Sequence, residues 1–230
     1  MTVVAFDFDG TLSDSEMTVL LGDRCGVADD MAEITERAMN DEIGYAESLR
    51  ERAALLEGLS EDDARDAFDE VELREGAADL IAELNDAGVT TAILTGGFER
   101  GVATALEREG VSVDHIVSNR LPMEDGESEA TASDTASGDQ PRALTGDVEG
   151  PLIEGTKDDA LEDLADDVGV SLAETVAVGD GANDLPMLEV AGLSIGFDPK
   201  PAVEPACDVV VTSMEEAREV LDEEAVLESA

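Results

Sequence analysis

The chain has 230 residues, of which 43% are hydrophobic, and 58 acidic against 13 basic residues give it a formal charge of −45. This length and composition predict one domain, or one domain with an inserted module, and exclude a chain that is disordered throughout. The charge repels polyanions, which excludes nucleic acid and anionic membranes as partners.

The acidic residues are spread along the whole chain, so most of them are expected to form a solvated surface. Their mutual repulsion is screened within about 3 Å at molar salt. The composition therefore predicts a halophilic protein adapted to a salt-rich cytoplasm. No apolar stretch approaches the roughly 18 residues of a membrane span, and the sequence shows no secretory signal pattern, so we expect a cytoplasmic protein.

The first predicted element is the apolar run Val3–Phe6, which suits a strand buried on both faces of a parallel sheet. Asp7 and Asp9 follow it at a glycine turn, and they point the same way if the strand continues. Two carboxylates this close need a cation between them or a shared proton. Taken alone, the segment fits either an active-site edge or an ordinary polar turn.

Residues 13–72 are predicted to be helical throughout, because apolar residues recur there at helical spacing. The predicted helices cover 17–22, 29–40, 45–56 and 60–71. From Gly76 onwards helices and strands alternate. The helices are predicted at 77–87, 98–109, 158–168 and 185–191, and the strands at 89–94, 116–117, 175–178, 193–195 and 209–211.

Alternating strands and helices predict an α/β fold with a doubly wound parallel sheet. The sheet domain is expected to comprise residues 1–12 and 73–230, with an all-α cap inserted at 13–72. Residues 125–143 are small, polar and acidic and cannot bury a core. We expect them to form a flexible loop insertion that lengthens a hairpin between about Asn119 and Val148. We expect this loop to be an inert insertion, and the alternative is a regulatory role.

A second polar segment ends the strand predicted at 89–94, where Thr95 is followed by Gly96 and Gly97 before a helix. The backbone amides of such a turn, the Thr95 hydroxyl and the helix N-terminus together make an anion site. The alternative is a plain connection in which Thr95 caps the helix. This segment alone favours the alternative.

Lys157 is one of only two lysines, the other being Lys200. It stands at the start of a predicted helix, where a cation opposes the helix dipole. A lysine retained there is suited to stabilise the charge of a phosphoryl group. The alternative is a surface salt bridge with Asp158 or Asp159.

The last polar segment follows the strand at 175–178, where Asp180 enters a glycine turn and Asn183 and Asp184 open the next helix. Mg²⁺ is typically held by one or two carboxylates together with water and substrate phosphate. Asp180, Asp7 and the backbone carbonyl of Asp9 would form such a site. An Asp-Gly turn without metal is the alternative for this segment in isolation, but four such segments in one chain favour a site.

In this order, the four segments resemble the motifs of the haloacid dehalogenase superfamily of phosphatases. The matching residues are Asp7-Phe8-Asp9-Gly10-Thr11, Thr95-Gly96-Gly97, Lys157 and Gly179-Asp180-Gly181-Ala182-Asn183-Asp184. The resemblance spans nearly the whole chain and implies a Rossmann-like core with a mobile cap. Within the superfamily the chain is most similar to the phosphoserine phosphatases, through residues 119–121, 144–150 and 176–184 and the position of the cap.

The resemblance implies a role for each matching residue in an aspartyl-phosphate mechanism. Asp7 would be the nucleophile and Asp9 the general acid and base, in agreement with the competence of carboxylates as covalent nucleophiles. Asp7, Asp9 and Asp180 would hold Mg²⁺, and Asp184 would steady Lys157 or the metal. The groups implied to hold the phosphoryl oxygens are Thr95, Gly96, Lys157 and Asn183.

Substrate choice is expected to come from the cap. Arg52 interrupts the apolar stripe of the helix predicted at 45–56, whereas Arg50 faces away, and a charge on an inner face needs a partner. The resemblance implies that Arg52 grips the substrate carboxylate, that Glu16 lies near its ammonium group and that Tyr45 takes a substrate-binding position. Residues 13–16 also match a capping box, which is a second interpretation of Glu16.

The resemblance therefore implies a Mg²⁺-dependent enzyme that hydrolyses O-phospho-L-serine to L-serine and phosphate. One alternative is a phosphatase or phosphotransferase for another small phosphomonoester, for example one that transfers phosphate from phosphoserine to homoserine. Another is a non-catalytic protein that binds a phosphorylated ligand. The sequence leaves the oligomeric state open.

Overall fold

The computed structural model describes residues 2–40, 42–125 and 142–227. Its strands are β1 (Val3–Phe6), β2 (Thr90–Phe98), β3 (His115–Asn119), β4 (Met123–Asp125), β5 (Arg142–Leu144), β6 (Thr175–Gly179), β7 (Leu193–Phe197) and β8 (Val209–Val211). Six of them form one parallel sheet in the order β3-β2-β1-β6-β7-β8. The predicted doubly wound α/β fold is confirmed.

The predicted hairpin is also confirmed, because β4 pairs antiparallel with β5. The acidic loop predicted at 125–143 lies, apart from its ends, outside the described residues. The helices are α1 (Met17–Cys25), α2 (Ala28–Met39), α3 (Tyr45–Ala54), α4 (Glu61–Phe68), α5 (Ala77–Asp86), α6 (Glu99–Glu109), α7 (Lys157–Val168), α8 (Leu185–Val190) and α9 (Met214–Glu223). Among these described helices, none has the length and apolarity needed to cross a bilayer.

Strand β1 shows why its continuous apolar sequence suits the middle of the sheet. Val4 and Phe6 point to one face, in a cluster with residues of α5, α6 and α9, whereas Val3 and Ala5 point to the other, against α7 and α8. All four side chains are completely buried. Because each apolar side chain that leaves water contributes about 1.5–3 kcal/mol, this alternation ties helices to both faces of the sheet.

Helices α1 to α4 lie between β1 and α5 in the chain and pack against one another. The two segments that connect them to the sheet lie side by side. The Ser13 hydroxyl donates to the Glu72 carbonyl at 2.6 Å, and the Arg74 amide donates to the Leu12 carbonyl at 2.8 Å. These bonds hold the helices above the carboxyl end of β1.

The hairpin also contacts this helical segment. The Leu144 amide donates to the Leu59 carbonyl, and the Gly58 amide donates to the Leu144 carbonyl, each at 2.9 Å. Strand β5 thus extends along the connection between α3 and α4. Sequence patterns do not reveal this pairing, because it joins segments far apart in the chain.

Two local predictions are wrong. Strand β2 does not end at Leu94 but continues through Phe98, with a register shift between Thr95 and Phe98. The capping box at residues 13–16 does not form, because α1 begins after Glu16 with no side-chain cap and the Ser13 hydroxyl binds Glu72 instead. In both cases a contact with a distant segment contributes, Phe98 pairing with Asn119 of β3 and the Ser13 hydroxyl donating to Glu72.

Candidate active site

Polar side chains gather where the carboxyl ends of β1, β2 and β6 meet. Asp7 follows β1, Thr95 lies near the end of β2 and Asp180 follows β6. A cavity of about 490 Å³ opens at this edge and is closed on its other side by residues of the helical segment. Its lining includes Asp7, Asp9, Thr95, Gly96, Asp180, Asn183, Glu16, Tyr45, Arg52 and Lys200.

Lys157 lies at the centre of the buried charges. Its Nζ donates to Oδ1 of Asp7 and to Oδ1 of Asp184, each at 2.6 Å. Burial by itself lowers the pKa of Lys157, but Asp184 and Asp7 outweigh this effect and raise the pKa above its ordinary value. The amine is therefore a permanent cation, and the alternative of a surface salt bridge with Asp158 or Asp159 is wrong.

Asp184 fixes the loop that carries Asp180. Its Oδ2 accepts the amide protons of Asp180 at 3.0 Å and Gly181 at 2.8 Å, while Oδ1 holds Lys157. On the opposite side of Asp180, Gly10 has a φ of +90°, and a Cβ at Gly10 would lie 2.6 Å from the Asp180 carboxylate. Glycine at position 10 thus allows two loops to meet.

The carboxylates of this cluster fit a divalent cation. One oxygen from each of Asp7, Asp180 and Asp184 lies within 4.8 Å of the others. Burial first, and then Asp184, raise the pKa of Asp7 to about 7 despite Lys157, and burial and Asp184 also raise the pKa of Asp180. Buried carboxylates that repel one another in this way are suited to an oxygen-binding metal such as Mg²⁺ or Ca²⁺.

Asp9 has a different environment from Asp7. Burial, followed by the charges of Asp7 and Glu16, raises the pKa of Asp9 well above its ordinary value. Among the described residues, its Oδ1 is a buried atom without a hydrogen-bond partner. A carboxyl group whose pKa is raised by burial and that faces a cavity is suited to act as a general acid.

The raised pKa of Asp7 predicts a loss of stability of the metal-free protein as the pH rises. The pKa is about 7 in the folded chain and 3.8 ordinarily. Such a group stabilises the fold below its ordinary pKa, and this contribution is lost as the pH rises through the folded value. Between about pH 5.5 and about pH 8, the free energy of unfolding in EDTA is expected to fall by about 2 kcal/mol. Urea unfolding at constant molar KCl measures this change.

The matched control is Asp7→Asn, which cannot titrate. Its stability is expected to vary less with pH over the same interval, and the difference between the two profiles isolates Asp7 from the surface carboxylates. Stability of the wild type that increases from the lower to the higher pH would contradict the assigned direction of the pKa shift.

The segment at Thr95 is an irregular end of a strand. The Gly97 amide donates to the Thr95 hydroxyl at 3.0 Å. Asn119, at the end of β3, donates to the Gly96 carbonyl at 3.0 Å and accepts the Leu152 amide proton at 3.1 Å. Asn119 thus fixes the Gly96 peptide. Sequence reasoning assigned it no role, although a polar residue at the carboxyl end of a strand was an available signal.

Three predicted substrate residues reach the cavity from the helical segment. The Tyr45 hydroxyl packs so closely against Gly96 that a Cβ at position 96 would clash with it. Burial is the largest cause that raises the pKa of Tyr45 to about 12, so the hydroxyl keeps its proton. Arg52 lines the cavity and donates to the Thr18 hydroxyl at 3.3 Å, and Glu16 lines it with an exposed side chain. Arg50 instead pairs with Glu154.

Lys200 is a second residue that sequence reasoning assigned no role. It lines the same cavity, and its Nζ lies 3.2 Å from Oδ2 of Asp180. The signal was the scarcity of lysine, which drew attention to Lys157 and applies equally to Lys200. What was missing was any indication that the loop after β7 returns to the end of β6.

A parallel sheet with an aspartate-rich carboxyl edge and a buried lysine defines a class of hydrolases. The model of the haloacid dehalogenase-like hydrolases matches residues 4–189, and the chain belongs to that family. The chain is 53% identical to phosphoserine phosphatase of Halobacterium salinarum, over 98% of this chain and 100% of that protein. It is 34% identical to phosphoserine phosphatase of Methanocaldococcus jannaschii, over 95% of each chain.

Solved structures agree with this family assignment. A substrate-bound phosphoserine phosphatase complex superposes with a TM-score of 0.82 at 34% identity, covering 96% of this chain and 97% of that one. A phospho-aspartyl intermediate analogue of phosphoserine phosphatase gives a TM-score of 0.81 at 34% identity, covering 96% and 98%. Because 96% of this chain is covered, the likeness includes both the sheet and the helical segment.

Proposed function

We propose that this chain is a phosphatase that hydrolyses O-phospho-L-serine to L-serine and phosphate. The observation that carries the proposal is the single cavity that joins Asp7, Asp9 and Thr95 at the sheet edge to Arg52 and Glu16 from the helical segment. The side of the cavity at the sheet edge suits a phosphoryl group. On the side of the helical segment, Arg52 offers a positive charge for the carboxylate of an amino acid, and Glu16 offers a negative charge for its ammonium group. Full-length similarity to phosphoserine phosphatases supports this substrate.

In the proposed mechanism, a carboxylate oxygen of Asp7 attacks phosphorus and displaces the serine oxygen, which takes a proton from Asp9. Asp9, now ionised, removes a proton from water. The water oxygen attacks the aspartyl phosphate, releases inorganic phosphate and restores Asp7. Lys157 holds one oxygen of Asp7 at 2.6 Å, so the nucleophile is oriented before the substrate arrives.

The phosphoryl oxygens are proposed to contact the Thr95 hydroxyl, the Gly96 amide, Lys157 and Asn183. Three of these groups line the cavity, and Lys157 lies directly behind Asp7. Fixed donors and a buried cation supply most of the acceleration in phosphoryl transfer, because they stabilise charge on the equatorial oxygens.

The metal is proposed to be Mg²⁺, held by the side chains of Asp7 and Asp180 and the backbone carbonyl of Asp9. Both oxygens of Asp184 are already engaged by Lys157 and two amides, so Asp184 positions these groups instead of serving as a ligand. Bound Mg²⁺ supplies positive charge that offsets repulsion between the carboxylates and the anionic substrate.

Residues 13–72 are proposed to form a cap over a core made of residues 1–12 and 73–230. The adjacent connections Ser13–Glu72 and Leu12–Arg74 provide a natural hinge. Because the cavity lies between the helices and the sheet edge, movement about this hinge would admit substrate and then exclude water.

Arg52 provides the test of the substrate. Arg52→Ala is expected to raise KM for phosphoserine by about 100-fold, because the substrate carboxylate loses a charged hydrogen-bond partner. Hydrolysis of phosphoethanolamine, which has the ammonium group but no carboxylate, is expected to be unaffected. Phosphate release in molar KCl measures both substrates.

Arg50→Ala is the matched control, since Arg50 lies two residues away, pairs with Glu154 and is not among the residues that line the cavity. Its KM for phosphoserine is expected to equal that of the wild type. Equal losses on both substrates in Arg52→Ala, or slow and unselective turnover of phosphoserine by the wild type, would refute the serine assignment.

A further inference from the structure

Lys200 is held beside Asp180 by its backbone. It follows β7, and its amide donates to the Asp180 carbonyl at 2.9 Å. Its own carbonyl accepts the amide protons of Val203 at 2.8 Å and Glu204 at 3.2 Å. The main chain at Lys200 is therefore fixed against the residue that its side chain contacts.

The side chain of Lys200 lies at the open rim of the cavity. Its Nζ is 3.2 Å from Oδ2 of Asp180, and the side chains are 54% and 13% exposed respectively. Lys157, by contrast, is 2% exposed and holds both Asp7 and Asp184. Each carboxylate of the cluster thus contacts one of the chain's two lysines, and the contact with Asp180 is the one open to solvent.

The residue type is informative. Among the described residues, every ion pair outside this cluster uses arginine. Arginine binds a carboxylate through a rigid fork, whereas the lysine ammonium is compact, strongly hydrated and carried on a flexible stem. A lysine can therefore leave Asp180 for solvent more easily than an arginine can.

We propose that Lys200 is a positioning residue that occupies Asp180 in the metal-free enzyme, yields it to the divalent cation and thereby sets the affinity of the metal site. The inference rests on the proposed metal site. Two cations compete for one carboxylate, so removal of the ammonium charge is expected to tighten metal binding by about tenfold at low salt. The effect is expected to shrink as KCl screens the partly exposed pair.

The test is direct binding of Mn²⁺ to the metal-stripped full chain, followed through the electron paramagnetic resonance signal of free Mn²⁺ over a series of KCl concentrations. Lys200→Met keeps the length of the side chain and removes its charge, and its Kd is expected to be about tenfold lower than that of the wild type. Lys200→Arg, which keeps the charge and binds Asp180 more firmly, is expected to have a Kd equal to or above the wild-type value. Arg50→Met removes one charge outside the site and is expected to leave Kd unchanged.

The outcomes separate this inference from the proposed metal site. Saturable Mn²⁺ binding by the wild type, together with equal or weaker binding by Lys200→Met, would overturn the competition by Lys200 and leave the metal site intact. Absence of saturable binding in all variants would overturn the metal site, and the inference with it. If Arg50→Met bound Mn²⁺ more tightly by the same factor as Lys200→Met, the lower Kd would follow from the net charge of the chain. That result would also overturn the competition by Lys200.

Discussion

Asp7→Asn is expected to lower phosphate release from phosphoserine by at least about a thousandfold. The amide keeps the size of the carboxyl group, and its oxygen can still accept the Lys157 hydrogen bond, but the neutral amide is too weak a nucleophile to form the acyl phosphate. Because one buried negative charge is removed, the variant is expected to fold. Steady-state phosphate release and acid-quenched mass spectrometry of the phosphorylated chain measure the two steps.

Asp14→Asn is the control for Asp7→Asn, since it makes the same chemical change at an exposed position seven residues away. It is expected to retain the wild-type rate and to accumulate the phosphorylated residue at Asp7 as the wild type does. Turnover by Asp7→Asn within tenfold of the wild type, or a phosphoryl group found on another residue, would remove Asp7 from the role of nucleophile.

Lys157→Met is expected to abolish turnover and also to destabilise the fold by about 3–5 kcal/mol. Lys157 is buried and is the shared partner of Asp7 and Asp184, so its loss leaves two buried carboxylates without a cation. Urea unfolding in EDTA measures stability, and phosphate release with added metal measures activity.

Two variants separate the structural role of Lys157 from its proposed catalytic role. Lys200→Met removes the other lysine, which is half exposed, and is expected to change stability by less than about 1 kcal/mol. Adding Asp184→Asn to Lys157→Met removes one unpaired charge, so stability is expected to recover in part while activity stays lost. Activity that recovered together with stability would show that Lys157 acts only through folding.

Local sequence patterns predicted most elements of this fold because they report burial directly. The run Val3–Phe6 is apolar at every position, as a strand with two covered faces requires. Helix α9 was missed although Met214, Ala217 and Leu221 are buried at helical spacing and Ser213 caps its first turn. Half of the residues of α9 are acidic, and acidic residues occur throughout this chain. The apolar spacing in α9 was therefore not recognised as a helical pattern.

The patterns were least informative where a residue takes its partner from a distant segment. Ser13 had a local capping partner by sequence but binds Glu72, and β2 continues past Leu94 because it pairs with β3. Nothing in the local sequence indicates which segments Asn119 and Lys200 contact. Asn119 is placed in the candidate site by its bond to Gly96 of β2, and Lys200 is placed there by its bond to Asp180, which follows β6. These segments become neighbours only in the folded sheet.

The sequence by itself determined that two aspartates follow a buried strand and that a scarce lysine begins a later helix, because apolar periodicity and composition are local properties of the chain. Only the tertiary structure decided that Lys157 is buried between Asp7 and Asp184, and that Lys200 reaches Asp180. The physical reason is that β1 and β6 become neighbours only when the parallel sheet forms. Burial and the charges brought together there then shift the pKa values of Asp7, Lys157, Asp180 and Lys200.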